Sequence, residues 1–167
     1  MAYLPTSNVE KAKKNTNMYK IQLFWNKFIQ KYPEFKDVDI PQAEHFCDNE
    51  KDANETADLA FRGIKTGTCG ALSSYEYYKD ELPKVGDLWI VTDFNKKPVC
   101  VTRTIKVSIV KYKNITEEWA RKEGEGDLSL EYWKEGHWKF FERDLAEYGQ
   151  KPSLEMELVC EEFEILK

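Results

Sequence analysis

The residues best suited to chemistry lie in the segment IKTGTCGAL, where Lys65 stands three positions before Thr68. A threonine hydroxyl becomes an effective nucleophile only when a neighbouring base takes its proton. A lysine can be that base where desolvation or a nearby positive charge lowers its pKa from about 10.4. The Lys-x-x-Thr spacing is a weak signal by itself, and a surface lysine next to a strand threonine is the alternative interpretation.

Three other side chains could take part in binding or catalysis. Glu123 ends a predicted helix at its negative pole, where the helix dipole does not stabilise a carboxylate. Such a placement against local preference can mark a functional residue, although a solvated glutamate is the alternative. Ser129 either caps the following helix or donates a hydrogen bond to a ligand. His137 lies on an aromatic helix face and is interpreted as a core residue in preference to a catalytic base.

The composition fits one globular domain and disfavours strong nonspecific binding to nucleic acid. The 167 residues are 14% aromatic, which argues against disorder, and carry a formal net charge of −5. Residues 94–113 contain basic and no acidic side chains, whereas residues 114–135 are mainly acidic. A basic segment beside an acidic one could bind an anionic substrate and place carboxylates near it. The alternative is that the two segments are a solvated strand face and a solvated helix face. No signal-peptide core or membrane-length apolar run occurs, so we expect a cytoplasmic protein without a membrane partner.

No metal or other cofactor is predicted. The four cysteines form no CxxC pair and the chain has only two histidines, so a zinc site is disfavoured. The glycine motifs of dinucleotide and P-loop sites are absent. Glu123, Glu125 and Asp127 could hold a divalent ion, but an ordinary acidic loop is the favoured interpretation.

Periodicity predicts an α+β fold, with helices around a small β-barrel. A first helix is expected to start at Thr16 or Asn17, after a loosely held arm, and to stop at Pro33. Its apolar face, which includes Met18 and a stripe of aromatic residues, is expected to pack on the core, and a homodimer contact is the alternative. A second helix within residues 49–63 is expected to bury a face that includes Phe61 and Ile64.

Later segments predict a hairpin that turns at residues 95–98 and two helices that follow Thr116 and Ser129. A last strand is predicted to carry a bulge between Cys160 and Phe163. In the second hairpin strand, Arg103 falls among apolar residues on the predicted inward face. It therefore needs either an ion-pair partner or a ligand.

Three motifs together make the sequence resemble the ASCH domain family of the PUA-like superfamily. They are GIKTGTCGAL, PKVGDLWIV and ITEEWARKEGEGDLSLEYWKEGHWKFF, and the resemblance covers about residues 55–166. The EGEGDLSLEYW sequence is similar to that of the longer bacterial branch. The resemblance implies a small β-barrel with helices around it, and RNA or a modified nucleoside as ligand. Residues 1–35 would be an N-terminal arm and helix extending the domain, and residues 36–167 the ASCH domain.

Two activities of the family imply roles for individual residues. Some ASCH proteins hydrolyse the amide of N(4)-acetylcytidine, and their proposed catalytic set matches Lys65, Thr68 and Glu123 here. Others cleave single-stranded RNA and implicate the same lysine and a serine that matches Ser129. The short amidohydrolases have an arginine two residues after the second threonine, where this chain has glycine. Arg103 could replace that arginine from a neighbouring strand.

A hydrolase of one of these two types is the favoured interpretation. In the amide version, Thr68 attacks the carbonyl, Lys65 takes its proton, and Glu123 orients the lysine or shuttles protons to the leaving amine. Backbone amides of the loop 67–70 would hold the oxyanion, and the substrate would contact Thr66, Gly67, Arg103 and Ser129. The alternative is a non-catalytic RNA-binding module that tracks phosphates with the basic segment 96–113. A metabolite-sensing or structural protein ranks third.

Overall fold

A five-stranded mixed sheet carries the fold. The computed structural model describes residues 8–167, with side chains from residue 15 onward. The strands are β1 (Ala43–Glu44), β2 (Gly67–Ala71), β3 (Leu88–Thr92), β4 (Pro98–Lys111) and β5 (Glu157–Leu166). Their order is β1-β3-β4-β5-β2, with β1 parallel to β3 and every other neighbouring pair antiparallel. The long β4–β5 pair forms the centre of the sheet, and β2 is left as an edge strand.

Helices pack on both faces of this sheet, which confirms the predicted α+β class. They are α1 (Asn8–Lys31), α2 (Glu50–Phe61), α3 (Leu72–Tyr78), α4 (Glu117–Glu123) and α5 (Leu130–Ala146). On the α2 side, Phe46 and Phe163 belong to one buried cluster. On the α4 and α5 side, Leu158 and Cys160 belong to another. Because successive strand residues point to opposite faces, β5 contributes to both clusters.

The first helix packs on the sheet as expected but starts earlier. Trp25 and Phe28 are buried against Ile90 and Val101, which confirms core packing of the aromatic stripe. Met18 is exposed and does not belong to the buried face. The helix begins at Asn8 and not at Thr16 or Asn17, since the preceding segment is rich in lysine, glutamate and alanine, which favour helices. The rest of the predicted arm, residues 1–7, lies outside the described residues.

The predicted N-terminal caps of α4 and α5 are present. The Thr116 hydroxyl accepts the N–H of Trp119 at 3.3 Å, which begins α4. The α2 boundary is also confirmed, although Phe61 is exposed and does not join the buried alanine face. Ile64, just beyond it, is exposed as well. No helix within the described residues 8–167 has the length and apolar character needed to cross a membrane.

The inward face predicted for β4 is wrong from Ile105 onward, because the strand contains a bulge there. Thr104 is buried, whereas Ile105 is half exposed. The pairing with β5 skips Ile105, and such an extra residue exchanges the inner and outer faces beyond it. The sequence predicted a bulge on β5 between Cys160 and Phe163. The extra residue lies on β4 instead, opposite that position.

Arg103, which lies before the bulge, does not enter an apolar core either. Its side chain is 42% exposed, and its Nε donates to Oε1 of Glu164 at 2.6 Å. Several other charges of the basic segment are paired in the same way, in the ion pairs Lys96–Glu44, Lys106–Glu162, Lys111–Glu155 and Lys113–Glu155. The segment is therefore largely neutralised by neighbouring carboxylates, so it does not form a free cationic track.

Alanine at position 124 should destabilise the protein, because α4 ends in a left-handed residue pressed against the chain. At Gly124, φ is +74° and an added Cβ would lie 2.8 Å from the carbonyl oxygen of Ile64. Gly63 has nearly the same φ of +76° with nothing within 4 Å, so Gly63→Ala is the matched control. We expect Gly124→Ala to lower the free energy of unfolding by about 1–3 kcal/mol more than the control. Urea denaturation measures this difference, and equal losses would contradict the close contact.

Candidate active site

The edge strand β2 borders a cavity of about 150 Å³ that brings the three predicted catalytic residues together. Its walls come from α2 and the loop before it, from β2, from the end of α4 and from α5. Lys65, Thr68 and Glu123 all line this cavity. They converge because Lys65 follows α2, Thr68 lies on β2 and Glu123 ends α4.

The Lys65 side chain is buried between two carboxylates. The residue is only 1% exposed. Its Nζ donates to Oε1 of Glu125 at 2.7 Å and to Oε2 of Glu123 at 3.0 Å. The ammonium also lies 5.2 Å from the centre of the Phe46 ring, within range of a cation–π contact. Within residues 15–167 these two carboxylates are its only hydrogen-bond partners, so one of its three N–H groups is left for a ligand.

Glu123 is held as a fixed anion by groups from two helices. Its Oε1 accepts the indole N–H of Trp119 at 2.8 Å and that of Trp133 at 3.0 Å. The Nε2 atom of His137 lies 3.4 Å from the same oxygen. Oε2 is therefore free to face Lys65, and the carboxylate has little freedom to turn.

The glycine between the two glutamates makes the double contact with Lys65 achievable. Gly124 ends α4 in the left-handed conformation, so the chain turns back within one residue. Glu123 on the last turn of the helix and Glu125 just after it then reach the same ammonium. This is the structural reason for the E-G-E spacing in the sequence.

The neighbouring carboxylates raise the pKa of Lys65, whereas a role as base requires a lowered one. Burial would lower this pKa, but the neighbouring Glu123 and Glu125 outweigh burial and raise it above its ordinary value. Burial would raise the pKa of Glu123, yet Lys65 and His137 hold it well below its usual range. The ammonium form of Lys65 is thus favoured in the resting site, whereas a base at this position would need a lowered pKa.

Thr68 has an available hydroxyl. It lies on β2 directly opposite Glu161 of β5 and lines the cavity. Within residues 15–167, no side chain or backbone group forms a hydrogen bond with its Oγ1. A nucleophilic role is therefore sterically and chemically open to this hydroxyl. The sequence predicts a loop at residues 67–70, but the backbone there belongs to the edge strand β2.

Comparisons with known proteins place the chain in a family. The model of the ASCH domain matches residues 42–167. The structure of an ASCH domain from Lactobacillus crispatus is similar with a TM-score of 0.82 and 34% identity, covering 88% of this chain and 94% of that one. A protein of Enterococcus faecalis is similar with a TM-score of 0.82 and 33% identity, covering 89% of each chain. The protein belongs to the ASCH domain family. No functionally curated protein gives a significant match.

The four residues expected to contact a substrate lie outside the cavity of this ASCH domain. The Ser129 hydroxyl accepts the N–H of Tyr132 at 3.1 Å and so caps α5. Thr66 contacts the carbonyl oxygen of Lys122 through its N–H at 2.7 Å. Gly67 is buried against the Trp119 ring, and Arg103 pairs with an outer carboxylate. The structure therefore brings Lys65, Thr68 and Glu123 together in one cavity but not these four residues.

Residues that the sequence analysis undervalued complete the ASCH site. His137 lines the cavity, and Glu125 contacts Lys65 directly. The signal for His137 was its i, i+4 spacing from Trp133, which places both side chains on one helix face. The same spacing relates Trp119 to Glu123. Neither spacing shows which helix faces meet in the folded protein, so neither could place these side chains near Lys65.

A metal ion fits poorly among the thiol, carboxylate and imidazole that come together here. One ligand atom each of Cys69, Glu123 and His137 lies within 4.8 Å of the others. The Glu123 oxygens already accept two indole N–H groups and the Lys65 ammonium. Burial raises the pKa of the Cys69 thiol well above its ordinary value, so it is not the thiolate that binds metals. Asp127, also considered from the sequence, instead accepts the N–H of Ser129 at 2.9 Å.

Neutralising Glu123 should destabilise the fold and alter its acid sensitivity. A depressed folded-state pKa contributes stability that is present above the unfolded value of about 4.3 and is lost as the pH falls further. Glu123→Gln removes a partner of a buried charge, so we expect a loss of about 3 kcal/mol at pH 7. The loss should shrink on acidification from about pH 5 toward pH 3. Urea denaturation across this range measures both effects.

The exposed Glu76 on α3 provides the control for this measurement. Glu76→Gln should change stability by no more than about 0.5 kcal/mol. A Glu123→Gln variant as stable as the control at pH 7 would contradict the structural role assigned to the buried carboxylate.

Proposed function

We propose that this ASCH domain is an amidohydrolase that removes the acyl group from an acylated exocyclic amine, as in N(4)-acetylcytidine. The observation that carries the proposal is the buried Lys65 ammonium, held by two carboxylates beside the free hydroxyl of Thr68. A cation and a nucleophile that line the same cavity suit attack on a carbonyl. The family supports a substrate related to RNA.

The size of the cavity favours a single ring over a polynucleotide. A cavity of about 150 Å³ is comparable to engineered cavities that admit one benzene molecule. The acyl group and the adjoining edge of a nucleobase could enter it, whereas the sugar would remain toward the opening. This match supports a nucleoside as the unit recognised.

The charge of the lining favours an uncharged substrate over a phosphodiester. Five carboxylates line the cavity, and the permanent cations facing them are Lys65 and Arg143. Arg143 is already paired with Asp48 through two hydrogen bonds of 2.7 and 3.0 Å. A scissile phosphate would therefore face a predominantly negative wall, which disfavours RNA cleavage at this site.

Lys65 would first act as a hydrogen-bond donor to the amide carbonyl. Its third N–H can stabilise the negative charge that develops on that oxygen when Thr68 Oγ1 attacks the carbonyl carbon. The Thr68 proton passes to Lys65 as Lys65 gives one to Glu125, so the ammonium that remains beside a protonated carboxyl balances the negative charge of the tetrahedral intermediate. Glu125 suits this exchange because its side chain is 25% exposed and lies 2.7 Å from Nζ.

Collapse of this intermediate would break the carbon–nitrogen bond and return a proton to the leaving amine. The acyl group then remains on Thr68 as an ester. Water attacks that ester, the carboxylic acid leaves, and the Thr68 hydroxyl regains its proton. Glu123 orients Lys65 in both halves, since its own oxygens are committed to N–H donors.

A binding-only function is the second candidate, and exposed aromatic side chains favour it. Tyr77 and Tyr78 on α3 are 56% and 47% exposed, and such rings can stack on unpaired bases. The neutralised basic segment gives this candidate less support, because little free positive charge is left to follow a phosphate backbone.

Replacing Thr68 by valine should abolish amide hydrolysis while preserving the side-chain volume. We expect the turnover of N(4)-acetylcytidine to fall at least about 100-fold, measured by release of acetate or cytidine. Lys65→Met should be equally inactive, with circular dichroism used to verify that it folds. Thr66→Val is the matched control, since Thr66 lies outside the cavity, and it should retain turnover.

A single-stranded RNA oligonucleotide assayed in parallel separates the candidates. Cleavage of RNA without turnover of the nucleoside would replace the amidohydrolase with a ribonuclease. Salt-sensitive binding without turnover of either would favour the binding module. Full activity of Thr68→Val would remove Thr68 from the mechanism.

A further inference from the structure

His137 is held with one ring nitrogen in a defined protonation state. The imidazole stacks on the Trp133 ring with 4.0 Å between ring centres and 16° between planes. Its Nδ1 lies 3.0 Å from the backbone carbonyl oxygen of Trp133. A carbonyl oxygen only accepts hydrogen bonds, so Nδ1 carries the proton in this contact.

The other nitrogen faces a carboxylate that already has several donors. Nε2 lies 3.4 Å from Oε1 of Glu123, the oxygen that also accepts both indole N–H groups. In a neutral ring with Nδ1 protonated, the lone pair of Nε2 would point at that negative oxygen. A second proton turns this repulsion into an attraction between an imidazolium and a carboxylate.

The charges around the imidazole act in both directions. Burial and the Lys65 ammonium oppose a positive charge on His137, while Glu123 on α4 and Glu125 in the following loop favour it. The group that β2 contributes, Cys69, is a neutral thiol. The carboxylates outweigh the opposing contributions, and the pKa of His137 is raised above its ordinary value.

We propose that His137 is a positioning residue that, as an imidazolium, completes a three-donor cradle around Oε1 of Glu123 and thereby fixes Oε2 on Lys65. The catalytic consequence rests on the proposed function, whereas the protonation state does not. With His137 charged, Lys65 and His137 balance the two glutamates. Loss of its proton leaves this group of four side chains net negative and releases one contact to Glu123, so activity falls on the alkaline side.

Nuclear magnetic resonance can test the protonation state directly, because the chain contains only two histidines. In ¹⁵N-labelled protein, His45→Gln leaves His137 as the single imidazole signal. We expect both ring nitrogens of His137 to be protonated at pH 7 and one to titrate at higher pH. A ring with a single proton at pH 7 would overturn the proposal whatever the enzyme assays give.

The indole N–H signals of Trp119 and Trp133 report on the position of Glu123 without any assay of activity. As the pH passes through the His137 titration, we expect both signals to shift in the wild type. They should not shift over that range in His137→Phe, which keeps an aromatic ring for the stack but has no donor. Indole signals that respond identically in the two proteins would contradict the cradle.

The pH dependence of turnover then tests the consequence for catalysis. His137→Phe should lower kcat for N(4)-acetylcytidine on the order of ten-fold, the lower end of the range for groups that orient a site residue, and should remove the alkaline limb due to His137. His137→Gln can still donate one N–H, so it should recover part of the rate. Equal kcat and equal pH profiles in all three proteins would overturn the positioning role. A wild type that shows the expected spectra but no turnover would instead count against the proposed function.

Discussion

The burial of one ammonium group is the constraint on which the site depends. Moving a charge of this size into a low-dielectric interior costs of order 20 kcal/mol in the idealised limit and several kcal/mol in real proteins. Lys65 is compensated by carboxylates at 2.7 and 3.0 Å. The buried Glu123 in turn requires its own donors, which come from two indoles and an imidazole. One buried charge thus accounts for the residues on three separate segments.

The fold brings these segments together at the edge of the sheet. The end of α2 delivers Lys65, the end of α4 delivers both glutamates, and one face of α5 delivers Trp133 and His137. Helices α2 and α5 lie on opposite faces of the sheet, so their side chains can meet only beyond its last strand. The short β2 is that strand, and Thr68 on it is therefore placed beside the ion pair.

Local sequence patterns were sufficient for many of the elements and for part of this convergence. The caps at Thr116 and Ser129 and the hairpin turn are local signals that the structure confirms, whereas the predicted start of α1 was wrong and α3 and β1 were not predicted. The resemblance to ASCH proteins linked Lys65, Thr68 and Glu123 before any contact between them was visible. The face of β4 was wrong because a bulge at Ile105 depends on how the strand pairs with β5 and not on its own alternation.

The charge state of the site could not be predicted from the sequence for a physical reason. A lysine pKa falls with burial and rises with nearby carboxylates, so its direction depends on which effect is larger in the folded state. The sequence places Lys65 58 residues before Glu123 and gives no measure of their separation. The same reason applied to His137, whose charge depends on an oxygen contributed by a different helix.

A charged lysine changes which step of the proposed reaction is difficult. An ammonium cannot remove a proton from Thr68, but it can stabilise the oxyanion that forms when the hydroxyl attacks. Lys65 then has to pass a proton to Glu125, and take one from Thr68, only while that negative charge is forming. At that moment the developing charge lies close to Nζ and partly replaces the attraction of the carboxylate. A pair of opposite charges that is stable in the resting site can in this way exchange a proton during the reaction without leaving an isolated charge buried.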